Sequence, residues 1–432
     1  MISGTSPGTP PGAPRRLALA QLVNSVGDGA YYVCSALYFT RVVGLSATEV
    51  GLGLTIAWAV GAVVGVPLGH LADRRGARGT AAALAVATGL AIGLLLIVRG
   101  LPAFTAAAVL YACCQCGFGA ARQALLAGLV AERERTRVRA YLQSTGNAGL
   151  AVGAALGGLA LHLDTAAAYL SVLGVDAVAF LAASLVLLRL PAVPPAPAGE
   201  PGAPRLAVLR DRPYALITAL HAALLLHLPM LSLLIPLWVV ERTSAPGWTA
   251  AAVLVLNTLS VVALQVRVAR GVTDLRSAVR HARWAGVAML IACAAYALSS
   301  ATASPWTTIA VLLAATGILV LGEMALASAV WEISFGLAPE GRQGQYQGFF
   351  GTGLAVARML GPLLLTWLVL GRGTAGWLAL GTVFLAAAWA MGPAVRWAAA
   401  TRPTPAPDAA PVVTSVPAAP RPRVPAPPRS ET

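Results

Sequence analysis

The chain alternates between long apolar runs and short gaps holding glycine, proline and arginine. A helix that crosses the hydrocarbon core of a bilayer needs roughly 20 apolar residues. Measured with that ruler, the sequence predicts spans at 17–40, 49–71, 80–98, 102–124, 141–163 and 167–190. A second set follows at 214–240, 249–269, 284–301, 306–335, 344–370 and 374–397. The runs are continuous rather than alternating in polarity, which favours helices over a β-barrel. Pro191 to Arg212, with the run PAVPPAPAGEPGAPR, separates the two sets. Proline at that density cannot continue a helix and reads as a semi-rigid, solvated linker. The expected division is a disordered tail over 1–16, a six-helix half over 17–190 and a linker over 191–213. A second six-helix half over 214–398 and a Pro/Ala-rich disordered tail over 399–432 complete it.

Composition sharpens this picture. Of 432 residues, 58% are hydrophobic and only 11% are charged, whereas a soluble domain carries about a quarter charged residues. Lipid is therefore the expected solvent and first partner. All 30 basic residues are arginine, and the formal net charge is +14. These arginines sit in the gaps between apolar runs and form no stripe, so they read as topology signals and nucleic acid is not an expected partner. With the amino terminus placed in the cytoplasm, the outer segments hold only Arg41, Arg99, Arg242 and Arg372. Arg122, assigned to the inner end of its helix, joins the inner group. This is the arginine asymmetry of a multi-pass protein of the inner or plasma membrane with both termini cytoplasmic. The amino terminus lacks the basic-then-apolar order of a cleaved signal, so the first helix is expected to act as an uncleaved insertion signal. The five cysteines fall inside apolar segments with no metal-ligand spacing, and no phosphate loop or zinc motif occurs. Neither a cofactor, a metal nor a catalytic domain is expected.

The most specific local pattern is Gly69-His70-Leu71-Ala72-Asp73-Arg74-Arg75-Gly76-Ala77-Arg78. It resembles the signature loop between the second and third helices of the major facilitator superfamily, with Gly69, Asp73, Arg74, Gly76 and Arg78 at the matching positions. The resemblance implies an all-α membrane protein with about twelve transmembrane helices in two parallel six-helix halves. It also implies that Asp73 caps or pairs across a helix end near the interface between halves, as part of a gating loop. Two glycine ladders, Gly61, Gly65 and Gly69 on the second helix and Gly149, Gly153 and Gly157 on the fifth, place bare faces at four-residue spacing. In the family these helices meet their partners across the half–half interface. The fifth-helix run GNAGLAVGAALGG resembles the antiporter motif of proton-driven exporters, except that Ala154 stands where the motif has proline. At the arginine position of the exporters' fourth-helix motif stands Cys113.

Charges at membrane depth are costly and are read as functional by default. Asp28 lies mid-way along the first span, on a face with Asn24, Tyr31 or Tyr32, and Ser35 at helical spacing. It is the first candidate for proton coupling or substrate contact. Glu323 and Arg358 flank the turn at Gly341 at almost equal separation, so both lie roughly 26 Å up their helices. They are expected to meet as a charge pair or proton relay, or as a structural pair. Glu332, two to three turns closer to the cytoplasm, is expected either to make an inner-gate contact or to snorkel to the interface. Asp176 in the sixth span is expected to be structural, and His227, ahead of the kink-forming Pro229, to be a buried hydrogen-bonded histidine. The expected function is proton-coupled export of a small, largely apolar compound by a monomer. The alternative is import of a small polar metabolite, and a non-transporting membrane protein ranks last.

Overall fold

The computed structural model describes residues 9–196, 206–302 and 304–402. Twelve helical segments account for most of them. The first set is α1 (Ala13–Leu37, prolonged by a π-helical turn, Tyr38–Val42), α2 (Ala47–Arg75), α3 (Ala77–Ile97), α4 (Leu101–Leu129), α5 (Glu132–Leu163) and α6 (Ala166–Leu188). The second is α7 (Arg212–Arg242), α8 (Trp248–Ala269), α9 (Leu275–Leu298), α10 (Pro305–Gly336), α11 (Gln343–Leu365, with a π-helical turn Thr366–Leu370) and α12 (Thr374–Ala400). Residues 13–16, expected in the tail, form the first turn of α1, and Pro14 suits that position because the missing N–H is one the first turn leaves unpaired anyway. The tail residues 1–8 and 403–432 and the linker residues 197–205 lie outside the described residues.

Eleven of these helices are long and apolar enough to cross a membrane. The exception is α1, whose Gln21, Asn24 and Asp28 dilute its apolar content. It is packed against α5 and α6 and has a buried face that includes Asn24 and Ser25. Elsewhere large apolar side chains point outward: Val63 and Ile97 are each 73% exposed and Leu363 is 71% exposed. That surface is tolerable only against lipid. α7 is not continuous: a helix over Arg212–Leu224 gives way to a short turn, His227–Pro229, then a π-helical turn, Met230–Leu234. Pro229 cannot donate to the preceding turn, and the backbone adjusts around it, as expected of a kink.

Apolar packing falls into two large clusters. One is built from residues up to 190 plus Phe335, the other from residues after 206 plus Val66. Each six-helix set thus has its own core, and Val66 and Phe335 are exchanged across the seam. The helices break at the short loops for local reasons. Gly76, between α2 and α3, has φ 97°, a conformation that a side chain would resist. Ser46 with Glu49, and Asp274 with Ser277, form reciprocal caps at the starts of α2 and α9.

Candidate functional site

The end of the bundle that carries the arginine-rich loops is sealed. Asp73, at the last turn of α2, accepts the backbone N–H of Gly344 at 2.7 Å and that of Gln345 at 2.9 Å. These are free donors in the first turn of α11, whose own flanking residue Arg342 provides no side-chain cap. Asp73 therefore caps a helix of the opposite set, and its charge suits the positive end of that helix. The backbones must approach closely for this. A methyl group on Gly69 would fall on the carbonyl of Gly344, and one on Gly344 on the carbonyl of Gly69. One step deeper, Gly348 packs on the Gly65 carbonyl. The rest of the seal joins α5 to α8 and α10. Thr136 donates to Glu332 at 2.6 Å, the Arg139 guanidinium lies 5.1 Å from the Trp331 ring, and the Ser144 hydroxyl donates to the Val261 carbonyl at 3.3 Å.

Two other members of the loop motif act within their own set. Arg78 donates to the Leu190 carbonyl at 2.9 Å and ties off α6, Arg74 is exposed, and Gly76 supplies the turn. The linker also crosses this end. Ala196 donates its N–H to the Asp73 carbonyl at 2.8 Å, and Val193 packs at Gly128.

The glycine ladders require a correction. Gly149, Gly153 and Gly157 do not face the opposite set; they receive α1, meeting the backbone or side chains of Leu22, Ser25, Val26, Ala30 and Val33. Gly61 receives Ala112 of α4, and Gly65 meets Cys116 of α4 as well as Gly348 across the seam. A four-residue ladder makes a bare face but does not say which helix fills it. The face on α5 goes to α1, which answers with a small residue of its own, Gly29 against Leu150.

Above the seal, at about 20 Å along their helices from the arginine-rich end, lies a polar layer. Asp28 accepts Asn24 Nδ2 at 2.7 Å and Gln115 Nε2 at 3.4 Å. Aromatic rings wall it. Tyr31 lies 5.4 Å from Tyr111 and 6.1 Å from Tyr32, and Trp58 lies 6.2 Å from Tyr111. Arg358 reaches in from α11, its guanidinium 5.4 Å from the Trp58 ring and 5.9 Å from the Tyr32 ring. Such placement over ring faces holds a cation at a depth where water is scarce. Tyr32 is 47% exposed although it sits at mid-depth, so this wall lines open space. Arg122 lies between this layer and the arginine-rich end. α4 continues to Leu129, which leaves Arg122 two turns inside the helix, 5.3 Å from the Phe118 ring.

Glu323 does not meet Arg358. Equal depth fixes height but not direction: Arg358 turns toward α1 and α2, while Glu323 turns into its own set. There Glu323 accepts Asn257 Nδ2 at 2.8 Å, and its Oε1 is 4.0 Å from His227 Nε2. Asp176 is fully buried on α6 against Gly27, and neither carboxyl oxygen has a hydrogen-bond partner. Tyr111, Gln115 and Asn257 are not among the site residues expected from the sequence. The spacing of Tyr111 and Gln115 on one face of α4 was the available signal.

Among the described residues, every hydrogen bond, ion pair and ring contact joining the two sets lies between the arginine-rich end and this layer. At the opposite end the polar ties stay within a set, as with Arg41–Asp164 at 2.6 Å and Arg242 to the Leu370 carbonyl at 2.6 Å. The bundle is bound together on one side of a mid-depth polar layer.

The fold matches known structures over almost its whole length. A bacterial homologue of the iron transporter ferroportin, in an outward-facing state, superposes with TM-score 0.69 at 19% identity, covering 90% of this chain and 99% of that one. The human organic anion transporter MFSD10 gives 0.64 at 17% identity, covering 88% and 99%. The proton:xylose symporter XylE, bound to 6-bromo-6-deoxy-D-glucose, gives 0.66 at 12% identity, covering 88% and 96%. At these identities the likeness shows the fold alone. No curated protein matches the chain. The family model for the Major Facilitator Superfamily matches residues 17–362; with its signature loop closing one end of two six-helix sets, the chain belongs to that superfamily of membrane transporters.

Proposed function

We propose that the chain is a proton-coupled secondary transporter that exports a small, largely apolar compound across the cell membrane. The two sets rock about the mid-depth layer, so that the layer opens to one side at a time. With the arginine-rich loops in the cytoplasm, as the positive-inside rule requires, the sealed end is the inner one and this conformation faces outward. The observation that carries the reading is Asp28. It is a carboxylate at mid-depth, in a wall of tyrosine and tryptophan, at the level where the two sets cease to be tied together.

A carboxylate in that place can load a proton from the open side, and the neutral form crosses an apolar path at lower cost than the charged one. Each charge moved down 100 mV supplies about 2.3 kcal/mol. The Arg358 guanidinium over Tyr32 and Trp58 disfavours a permanently cationic cargo. The aromatic rings suit a flat, apolar one. Transport by a single chain is part of the proposal. The test is accumulation of an aromatic compound panel in cells with and without the protein, followed by a protonophore. Lower accumulation that the protonophore restores is the expected result. Equal accumulation across the panel, or accumulation higher with the protein, contradicts export.

A further inference from the structure

His227 is the buried, hydrogen-bonded histidine expected from the sequence, and its bond fixes which ring nitrogen is left over. Its Nδ1 lies 2.8 Å from the Leu224 carbonyl. A carbonyl oxygen only accepts, so Nδ1 carries hydrogen and donates. In the neutral ring the proton is then used, and Nε2 is a bare lone pair. Yet Nε2 faces Glu323 Oε1 at 4.0 Å. An ionised carboxylate is likewise acceptor-only. Without a further proton, two lone-pair holders face each other in a site where the His227 and Glu323 side chains are 5% and 18% exposed. Asn257 occupies the other carboxylate oxygen as a donor at 2.8 Å, and so cannot relieve the Oε1 side.

We propose that His227 and Glu323 hold one proton between them, and that this dyad is a second proton-loading site, within the second six-helix set. The balance is simple. With the proton present, it rests either on Nε2, making an imidazolium that faces the carboxylate as an ion pair across 4.0 Å, or on the Glu323 carboxyl beside a neutral ring. When it leaves, α7 and α10 are left with facing acceptors. The segment of α7 that bears His227 is the one place where that helix is broken, between the turn at Leu225 and the π-helical turn Met230–Leu234. Pro229 there seats on Gly361 of α11, with no room for a methyl group between them. Repulsion at the dyad therefore acts on a segment able to bend.

The surroundings leave Glu323 as the group that decides the His227 charge. α8 presents Asn257, a neutral amide, and α12 has no titratable side chain between Thr374 and Val395. α11 presents Gly361, while Arg358 turns to Tyr32 and Trp58 on its other side. On α7 itself the next such group is His221, stacked on Phe350 at 4.3 Å. Among the described residues no three His, Cys, Asp or Glu side chains come together as a metal would need, so a proton fits the dyad better than a metal ion.

The inference extends the proposed function by one further site but does not depend on the direction of transport or on the cargo. The test uses the purified full chain labelled with ¹⁵N-histidine, followed by NMR across about pH 5–8, the window where histidine titrates. The chain has five histidines, and His227→Gln assigns the signal. The expected result is hydrogen on Nδ1 throughout, a proton gained at the Nε2–Glu323 contact as pH falls, and loss of that step in Glu323→Gln. Hydrogen on Nε2 alone, or a His227 titration unchanged by Glu323→Gln, overturns the proposal. If His227→Gln fails to fold, infrared difference spectra of the wild type and Glu323→Gln replace the assignment. A pH-dependent carboxyl band lost with Glu323→Gln supports the dyad, and its absence from the wild type rejects it. Asp28→Asn leaves these readouts in place. A failure of the coupling role of Asp28 and a failure of the dyad are therefore told apart.

Discussion

Asp28 and Glu323 are two carboxylates at nearly the same depth, each held by a side-chain amide, and they sit in opposite kinds of place. Asp28 is on the seam, where Arg358 of the opposite set lies across the same aromatic wall. Glu323 is inside one set, where all its recorded partners, Asn257 and His227, belong to that set. A group on the seam has different neighbours when the two sets rock, so its charge state can be tied to which end is open. A group inside one set senses only the shape of that set. A ligand shifts an equilibrium only by its differential affinity for the two states, and the proton at Asp28 has the greater opportunity for such a difference.

The largest expected effect is therefore at Asp28. Asp28→Asn abolishes flux driven by a pH gradient, while Glu323→Gln lowers it only in part; equal losses in a vesicle flux assay would erase the distinction. Next comes the seal that both sites share. Asp73→Ala leaves two N–H groups of α11 without their buried acceptor, at about 1–3 kcal/mol each. That is enough to move a two-state population several-fold or more, and spin-label distances between the ends of α2 and α10 at the sealed end should broaden or lengthen.

Arg358→Leu removes the cation that crosses from α11 to Tyr32 and Trp58. It should weaken binding of aromatic cargo and change the pH dependence of the Asp28 step, with little effect on the Glu323 step. The smallest effect is far from both. Asp274 caps α9, and the N–H and hydroxyl of Ser277 hold its carboxyl below the usual aspartate range. Its folded value is the lower one, so its contribution is present above the unfolded value and is lost as pH falls through the folded one. Asp274→Ala should lower Tm slightly at neutral pH, and the difference should vanish in acid.

Much of the fold was legible because lipid leaves few alternatives: apolar runs of the right length had to be helices, and eleven are apolar enough to span by that criterion alone. α1 is the informative exception, since the polar residues that dilute it include Asn24 and Asp28 of the candidate site. That Asp73 would act at a helix end near the seam came from the resemblance of its loop to the family signature; the close approach that Gly69 permits shows only in the structure. Direction around a helix was less legible. Equal height suggested that Glu323 and Arg358 would meet, but their faces diverge. The α5 ladder marked a bare face that α1 fills. The His227–Glu323 contact joins residues far apart in the chain and depends on a break in α7, which no periodicity reveals.

The most direct test of the coupling claim separates movement of the sets from use of the gradient. In vesicles carrying the full chain and an aromatic compound identified by the accumulation screen, exchange of labelled for unlabelled compound needs only rocking of the two sets, whereas net flux under a pH gradient also needs proton loading. Asp28→Asn should retain exchange and lose gradient-driven flux. An Asp28→Asn protein that concentrates the compound under a pH gradient as well as the wild type does would contradict the account.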